Sequence, residues 1–408
     1  MKKLSFPKNK IKVLLLEKVD KTAKTLFEKE GYSVETYEGS YNENELIKKI
    51  ENVSILGIRS KTTITPKIVA AANRLLCIGA FCIGSNQINL TECAKSGIIV
   101  FNAPYSNTRS VVEIVIGQII NLTRKIIIKS NQMHKGIWKK DSIGSYEIRN
   151  KTIGIIGYGN IGSQLSVLCE AIGLKVIYYD IIDKLSIGNA KKSESLEYLL
   201  KNSDIVTLHV DGRKENTNLI SSKEFDLMKK GSILVNYSRG NVVNIDALKD
   251  NIKNNKLMGA AIDVFPKEPL NNKEKFFCDL IGLDNVILSP HIGGSTKEAQ
   301  KNIGNYVPDK IIDYINTGNT SNSINFPQLS LPKQKDAHRL IHIHRNETGV
   351  MLKINKIISD YNINIKGQYL KTLNDIGYVI TDIDRKYNNE VVNSLKEIAA
   401  TIKLRVLY

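Results

Sequence analysis

One stretch near the middle of the chain restricts its possible folds more than any other. The apolar run TIGIIG (152–157) leads into a glycine-rich turn, a helical stretch follows, and a second apolar run, KVIYYD (175–180), comes next. The turn has the pattern G-x-G-x-x-G, and Asp180 ends the second run 18 residues after the last glycine. This order of strand, tight turn, helix and strand predicts the start of a doubly wound parallel sheet.

The glycine turn also predicts the kind of ligand that the sheet binds. Gly157, Gly159 and Gly162 permit the tight turn and a close approach of the backbone to a pyrophosphate, and the helix N-terminus offers amide donors. Asp180 can accept a hydrogen bond from a ribose 2′-hydroxyl, and its charge would repel a 2′-phosphate. The sequence therefore predicts a dinucleotide cofactor, with NAD favoured over NADP.

Short apolar runs separated by helical stretches continue on both sides of this motif and indicate two parallel α/β sheets. The C-terminal stretch differs, because its strand-like and helical segments follow in the order β-α-β-β-α-β, which is typical of a ferredoxin-like fold. The sequence thus predicts two Rossmann-like doubly wound parallel-sheet domains and a C-terminal ferredoxin-like α+β domain. We expect these domains at 1–106 with 296–330, at 107–295 and at 338–408, with a Ser/Asn-rich linker around 318–337.

Three polar residues each follow a predicted strand of the second sheet. Arg239 comes after SILVNYS, Glu268 after AIDVFPK, and His291 after NVILSP. Ligands of an open parallel sheet bind beyond the carboxyl ends of its strands, so we expect these side chains in one crevice beside the nicotinamide. His291 can take a hydroxyl proton as hydride leaves, Glu268 can orient the imidazole and raise its pKa, and Arg239 can clamp a 2-hydroxy carboxylate. The three residues are the predicted catalytic group of a dehydrogenase.

The net charge of +17 admits two interpretations. A basic surface can bind nucleic acid, but the lysines are spread along the chain and no helix-turn-helix or RNA-binding pattern occurs. We therefore attribute the charge to a Lys-, Asn- and Ile-rich composition typical of an AT-rich genome, and we expect no nucleic-acid partner. No apolar run approaches the roughly 20 residues that span a bilayer, and no signal peptide is evident. These features predict a cytoplasmic protein without membrane contacts.

The cysteine and histidine residues give no sign of a metal site. The five cysteines form no CxxC pair and no cluster with histidine at zinc-ligand spacing, which predicts reduced thiols. Cys82 lies near the expected crevice without a paired base, so we expect no nucleophilic role for it. His342 and His344 share one face of a predicted strand, but two ligands are too few to hold a metal ion.

Several segments resemble the signature segments of the D-isomer-specific 2-hydroxyacid dehydrogenases. They are FNAPYSNTRSVVE (101–113), IIGYGNIG (155–162), NYSRGNVVN (236–244), GAAIDVFPKEP (259–269) and SPHIGGST (289–296). The C-terminal HIHRNETGV (342–350) resembles the ACT domain of a bacterial short form with one such domain. The resemblance implies a substrate-binding domain, an NAD-binding domain and an ACT regulatory domain, in that order. It also implies oxidation of 3-phosphoglycerate in serine synthesis, with reduction of 2-oxoglutarate to 2-hydroxyglutarate as an optional side activity.

The same resemblance implies roles for individual residues. The substrate is expected to contact Arg59, Ser60, Lys61, Asn107 and Lys140. Serine, as a feedback effector, is expected at His344, Asn346 and Asn364, between paired ACT domains of a homotetramer. Trp138 is open to two interpretations, as a contact between subunits or as a partly buried aromatic residue. The cofactor is expected to contact the following residues: Gly157, Gly159, Asn160, Ile161, Gly162, Asp180, Tyr237, Ser238, Arg239, Asp263, His291, Ile292, Gly293 and Gly294.

The chain departs from the family pattern at a few of these sites. Lys61 stands where relatives often have Arg, and Glu38 stands where some have Lys, which predicts a less basic substrate pocket. Thr348 replaces a proline of the family, and Lys335-Asp336 or nearby residues stand where the family has a Gly-Gly hinge, so we expect serine to bind but to inhibit less steeply. Two alternative functions stay open, namely a dehydrogenase for another 2-hydroxy acid and an NAD-sensing, corepressor-like binding protein.

Overall fold

A computed structural model of the protein describes residues 7–269, 273–334, 336–384, 387 and 389–407. The chain folds into two units, one formed by 1–106 with 300–408 and the other by 107–299. Each unit has its own apolar core. In the described part of the chain, no helix combines the length and the apolar character that crossing a membrane requires.

A parallel sheet of five strands forms the N-terminal part of the first unit, in the order β2-β1-β3-β4-β5. Strands β3 and β4 are apolar and fully buried, as expected inside an α/β sheet. The helices that connect the strands each begin after a residue whose side chain accepts a hydrogen bond from a first-turn amide, namely Asp20, Asn42, Thr65 and Asn89. The elements are β1 (Lys12–Leu15), α1 (Lys21–Lys29), β2 (Ser33–Thr36), α2 (Glu43–Ile50), β3 (Ile55–Ile58), α3 (Pro66–Ala71), β4 (Cys77–Ala80), α4 (Leu90–Lys95) and β5 (Ile99–Phe101).

The second unit contains a parallel sheet of seven strands in the order β12-β11-β10-β9-β6-β7-β8. The strand order reverses between β6 and β9, and ligands of open α/β sheets bind at such a switch point. The elements are α5 (Thr108–Arg124), α6 (Ile126–His134), β6 (Thr152–Ile156), α7 (Asn160–Ala171), β7 (Lys175–Tyr179), β8 (Lys191–Lys192), α8 (Leu196–Asn202), β9 (Ile205–Leu208), α9 (Ser222–Leu227), β10 (Ser232–Asn236), α10 (Ile245–Lys253), β11 (Leu257–Ile262) and β12 (Val286–Leu288).

Helix α5 differs in length from the sequence prediction. The apolar run from 110 to 128 predicts one helix, but the structure has two, α5 and α6. Lys125 separates them in the left-handed conformation, with φ of 53°. A residue with this backbone geometry interrupts the helical hydrogen-bond ladder. The apolar face of α5, which includes Val112 and Ile119, packs into the core of the second sheet.

Helix α11 (Lys297–Thr317) leads into the segment that we predicted as a linker, and the structure shows this segment packed on the first sheet. The Asn325 Oδ1 atom accepts the N–H of Val100 at 2.8 Å, and its Nδ2 atom donates to the carbonyl of Ile98 at 2.9 Å. Phe326 and Leu329 are buried in the same core. Residues 325–329 therefore pack in the core of the first unit and do not form a simple linker.

A four-stranded antiparallel sheet follows, in the order β14-β15-β13-β16. Leu340 of β13 faces a core formed with α12 and α13. The alternate residues Ile341 and Ile343 face the other way and share one core with Phe101 and Tyr314 of the first unit. The elements are β13 (Ala337–Arg345), α12 (Val350–Asp360), β14 (Ile365–Leu373), β15 (Ile376–Asp384), α13 (Asn389–Lys396) and β16 (Thr401–Leu407).

A buried arginine ties this third sheet to the segment that precedes it. The Arg339 guanidinium forms a bidentate pair with Asp382, with both N···O distances at 2.7 Å. It also donates to the carbonyls of Thr317, Leu331 and Pro332 at 2.8–2.9 Å. The two charged side chains are 3% and 2% exposed. The predicted fold class, two doubly wound parallel sheets with a ferredoxin-like α+β domain, is confirmed.

Candidate active site

Two glycines of the motif, one in the turn after β6 and one in the first turn of α7, stand where a side chain would overlap the backbone. Gly157 has a φ of 91°, and a side chain there would lie 2.5 Å from the carbonyl oxygen of His209. A side chain at Gly162 would lie 2.2 Å from the carbonyl oxygen of Gly157. At Gly159, by contrast, no described atom lies within 4 Å of the side-chain position. The turn is therefore closed toward the sheet and open at Gly159, where a pyrophosphate would approach.

Asp180 closes the other side of this turn. Its Oδ2 atom accepts the N–H of Tyr158 at 2.8 Å, and its Oδ1 atom accepts the N–H of Ile182 at 2.9 Å. The carboxylate is thus fixed directly after β7, where a ribose hydroxyl can still donate to its remaining lone pairs. The glycine turn, the α7 N-terminus and Asp180 together fit the adenosine half of NAD.

Asp263 organises the segment that carries His291. Its side chain is 1% exposed, and its two carboxylate oxygens accept the N–H groups of Ile292 at 2.9 Å and Gly293 at 2.8 Å. The N–H of His291 donates to the Asp263 carbonyl at 2.8 Å. His291 itself has a φ of 53°, a left-handed conformation that few side chains adopt. The contacts of Asp263 hold this turn beyond β12.

His291 and Glu268, which follow β12 and β11, form a hydrogen-bonded pair. The distance from His291 Nδ1 to Glu268 Oε2 is 2.8 Å, and Glu268 Oε1 accepts the N–H of Phe265 at 3.1 Å. The hydrogen bond to Glu268 raises the pKa of His291 against the opposing effect of burial. Burial alone would raise the pKa of Glu268, but the hydrogen bond and charge of His291, the Phe265 N–H and the Arg239 charge together lower it. Because Glu268 engages Nδ1, Nε2 is the ring atom available to exchange a proton with a substrate.

Arg239 belongs to the same group. The side chain of Asn236 holds the turn after β10, because it accepts the N–H of Ser238 and donates to the carbonyl of Arg239, both at 3.1 Å. The Arg239 charge lowers the pKa of both His291 and Glu268, so the guanidinium acts on that pair electrostatically. A side chain at Gly240 would lie 2.0 Å from the Phe265 carbonyl carbon. The turn that carries Arg239 therefore packs directly on the segment before Glu268.

This arrangement can move a proton and hold a carboxylate. His291 Nε2 can accept the proton of a substrate hydroxyl, and Glu268 stabilises the imidazolium that forms. Arg239 can bind a carboxylate bidentately and polarise the neighbouring oxygen. NAD, when bound, supplies the hydride acceptor.

The other residues of the second unit that were predicted to contact the cofactor or the substrate differ in their burial. Tyr237 and Ser238 are buried beside Asp263, and the Tyr237 hydroxyl contacts Ser289 Oγ at 3.1 Å. The Asn107 side chain packs against Gly294, since a side chain at that glycine would lie 2.0 Å from Asn107 Nδ2. Lys140 is exposed, and no hydrogen bond or ion pair among the described residues joins it to the catalytic group.

Arg59, Ser60 and Lys61 lie in the first unit, directly after β3. Their backbone is held by Glu17, a residue that the sequence analysis did not identify. Glu17 is 6% exposed and accepts backbone N–H groups of this segment. The only sequence signal was a charged residue directly after the buried run KVLLL. Glu38, in contrast, is exposed and pairs with Lys18 at 3.1 Å.

Of the predicted effector residues, His344 and Asn346 lie where β13 ends, whereas Asn364 lies at the opposite end of the third sheet, where β14 begins, so one chain does not bring the three together. His344 is 2% exposed, its Nδ1 atom contacts the carbonyl of Arg345 at 2.7 Å, and its buried Nε2 atom has no hydrogen-bond partner in the described chain. Asn346 and Asn364 are exposed. Burial lowers the pKa of His342, the neighbour on the same face, to about 4. The hinge position Lys335 lies outside the described residues.

Comparisons with known proteins show the family of the chain. A family model described as "D-isomer specific 2-hydroxyacid dehydrogenase, NAD binding domain" matches residues 116–293, and one described as "AHAS small subunit-like ACT domain" matches 340–403. The chain is 48% identical over 404 residues to D-3-phosphoglycerate dehydrogenase of Dictyostelium discoideum, covering 99% of both chains. The chain belongs to the D-3-phosphoglycerate dehydrogenase family. The enzyme of that name from Escherichia coli K12 is 46% identical over 411 residues, with 100% of both chains covered.

Solved structures of the wider dehydrogenase family have the same fold. A D-lactate dehydrogenase from Aquifex aeolicus, complexed with NAD and lactic acid, matches with a TM-score of 0.65 and 27% identity, covering 75% of this chain and 95% of that one. A D-2-hydroxyisocaproate dehydrogenase matches with a TM-score of 0.67, covering 77% of this chain and 100% of that one. Membership of this family confirms the prediction of an NAD-dependent oxidoreductase that acts on a CH–OH group.

Proposed function

We propose that the protein oxidises 3-phosphoglycerate to 3-phosphohydroxypyruvate with NAD and thereby supplies serine synthesis. The observation that carries this proposal is the hydrogen-bonded pair of His291 and Glu268 beside Arg239, in a chain 46–48% identical over its full length to D-3-phosphoglycerate dehydrogenases. His291 is the general base, Glu268 orients it, and Arg239 binds the carboxylate and the reacting oxygen.

The residues that we propose to contact the substrate are Arg59, Ser60, Lys61, Asn107 and Lys140, with Arg59, Ser60 and Lys61 facing its phosphate. We propose residues 1–106 with 296–330 as the substrate-binding domain, 107–295 as the NAD-binding domain and 338–408 as the ACT regulatory domain. A substrate with about three negative charges requires such a basic pocket. Lys61 offers a single ammonium group where an arginine would offer a bidentate contact, so we expect weaker phosphate binding at that position.

A steady-state assay of NADH formation tests the function. The purified protein is incubated with NAD and either 3-phosphoglycerate, D-lactate or D-glycerate, and NADH is followed by absorbance. We expect turnover with 3-phosphoglycerate and little with the smaller acids. Preference for one of the smaller acids would indicate another D-2-hydroxyacid dehydrogenase. NAD binding without turnover of any of them would favour the corepressor-like alternative.

We further propose that serine binds at His344, Asn346 and Asn364 between paired ACT domains of a cytoplasmic homotetramer. The unpartnered Nε2 atom of His344 supports this, since an amino acid supplies the polar group that the atom lacks. Relatives occur in bacteria and in eukaryotes, so the bacterial affiliation stays a prediction. Titration with serine gives its effect on rate, light scattering gives the mass, and 2-oxoglutarate with NADH tests the side activity. Full, cooperative inhibition by serine would contradict the expectation of weakened feedback.

A further inference from the structure

Glu17 lies two residues beyond the last residue of β1, and its backbone geometry is unusual. Its φ is 62° and that of Lys18 is 51°, so two consecutive residues with side chains lie in the left-handed region. Such geometry persists where surrounding contacts determine it, and it is frequent at functional sites. Here the turn directs the Glu17 side chain to the end of the neighbouring strand β3, where it is buried.

The Glu17 carboxylate binds three of the four backbone amides in the segment 59–62. Its Oε1 atom accepts the N–H of Arg59 at 3.2 Å and that of Thr62 at 2.8 Å, while Oε2 accepts the N–H of Lys61 at 2.9 Å. The Glu17 carbonyl also accepts a bond from Arg59 Nη1 at 3.4 Å. Converging backbone amides form an anion-binding nest, and in this protein the nest is filled by a carboxylate of the chain itself.

A second contact holds the same segment from its carbonyl side. Gln87 Nε2 donates to the Arg59 carbonyl at 2.6 Å. Hydrogen bonds therefore hold both amide groups and a carbonyl group of this backbone segment. The side chains of Ser60 and Lys61 remain exposed. A fixed backbone reduces the conformational entropy that these side chains lose when they bind a ligand.

We infer that Glu17 is a positioning residue for the substrate, and this inference rests on the proposed role of Arg59, Ser60 and Lys61 in binding phosphate. Glu17 occupies the amides that would otherwise attract the phosphate, so the segment recognises the substrate through its side chains. It also sets the direction in which those side chains leave the sheet. Glu17 has no part in the proton transfer.

The central test compares Glu17→Gly with the unchanged full-length protein. Glycine suits the left-handed conformation, so this variant removes the carboxylate without straining the turn. We expect the KM for 3-phosphoglycerate to rise about tenfold or more, because hydrogen bonds to a buried charged group are lost, while kcat and the KM for NAD change less than about twofold. Added acetate should fill the empty nest and restore the low KM.

Two further variants separate positioning from general stability. Glu17→Gln keeps an acceptor for Arg59 and Thr62 but places an amide nitrogen against the N–H of Lys61, so we expect an intermediate KM. Glu35→Gln removes the same charge from an exposed position in β2 of the same sheet, where Glu35 pairs loosely with Lys49 at 3.7 Å. This control should leave KM and kcat unchanged.

The outcomes distinguish this inference from the proposed function. If Arg59→Ala leaves the KM for 3-phosphoglycerate unchanged, the proposed phosphate contact itself is wrong, and the inference fails with it. If Arg59→Ala raises the KM but Glu17→Gly does not, the inference alone is overturned. A Glu17→Gly variant that loses kcat and substrate affinity together, with no response to acetate, shows a structural role only and also overturns it.

Discussion

The buried pair of Arg339 and Asp382 allows a quantitative prediction about stability. The change is Arg339→Met, which keeps most of the apolar side-chain volume and removes the guanidinium. It leaves the Asp382 carboxylate without its bidentate partner at a position 2% exposed. It also removes the donors that serve three backbone carbonyls after α11.

The size of the effect follows from these contacts. Breaking a buried ion pair on one side costs about 3–5 kcal/mol, because the remaining charge stays desolvated. The loss of donors to the three carbonyls places the expected cost at the upper end of that range. With a cost of about 5 kcal/mol and an m-value of about 2 kcal/mol/M in urea, the unfolding midpoint should fall by roughly 2.5 M. The double variant Arg339→Met/Asp382→Leu leaves no buried charge, so it should be more stable than the single variant.

Urea unfolding of the three proteins, followed by circular dichroism, measures these differences. The coupling energy comes from the double-mutant cycle once Asp382→Leu is added. A loss below about 1 kcal/mol for Arg339→Met would refute the argument that this pair fixes the third sheet. Strictly additive effects of Arg339→Met and Asp382→Leu on the free energy of unfolding would also refute it.

Three further predictions concern the predicted catalytic residues and the turn that carries Arg239. Glu268→Gln removes the group that raises the pKa of His291, so the acidic limb of the kcat/KM profile should move to lower pH and the maximal rate should fall roughly tenfold or more; an unmoved limb would count against the pairing. Arg239→Lys loses the bidentate contact, and kcat/KM for 3-phosphoglycerate should fall roughly 10- to 100-fold, whereas an unchanged value would exclude a carboxylate clamp. Gly240→Ala overlaps the Phe265 backbone and should destabilise the fold by about 1–3 kcal/mol, which thermal melting would detect or contradict.

Much of the fold and part of the site follow from local patterns in the sequence. The two parallel sheets were predictable because short apolar runs alternate with helical stretches, and this alternation can be read from neighbouring residues alone. The glycine turn was predictable because Gly157 and Gly162 each stand where a side chain would overlap the backbone. The proximity of Glu268 to His291 followed from a general rule about the carboxyl ends of parallel strands.

Features that depend on contacts between distant segments were not predictable in this way. Asn325 pairs with the backbone of β5 more than 200 residues earlier, and nothing in its Ser/Asn-rich surroundings separates it from a loop residue. The role of Glu17 was unpredictable for the same reason, because only the folded sheet brings its carboxylate to the amides after β3. Lys125 interrupts α5 with a backbone geometry that lysine rarely adopts. A single sequence carries no local signal for such contacts and backbone conformations.

The two hydrogen bonds that Asp180 accepts bear on attempts to redesign the cofactor preference. An engineer who replaces Asp180 to admit a phosphorylated ribose removes a repulsive charge, but also leaves the amides of Tyr158 and Ile182 without their acceptor. The first of these amides lies inside the glycine turn. A change of preference therefore needs a replacement such as Asn or Ser, whose single oxygen can still accept from the Tyr158 amide, together with a cation that binds the added phosphate. In this protein, the residue that selects the cofactor also folds the loop that holds it.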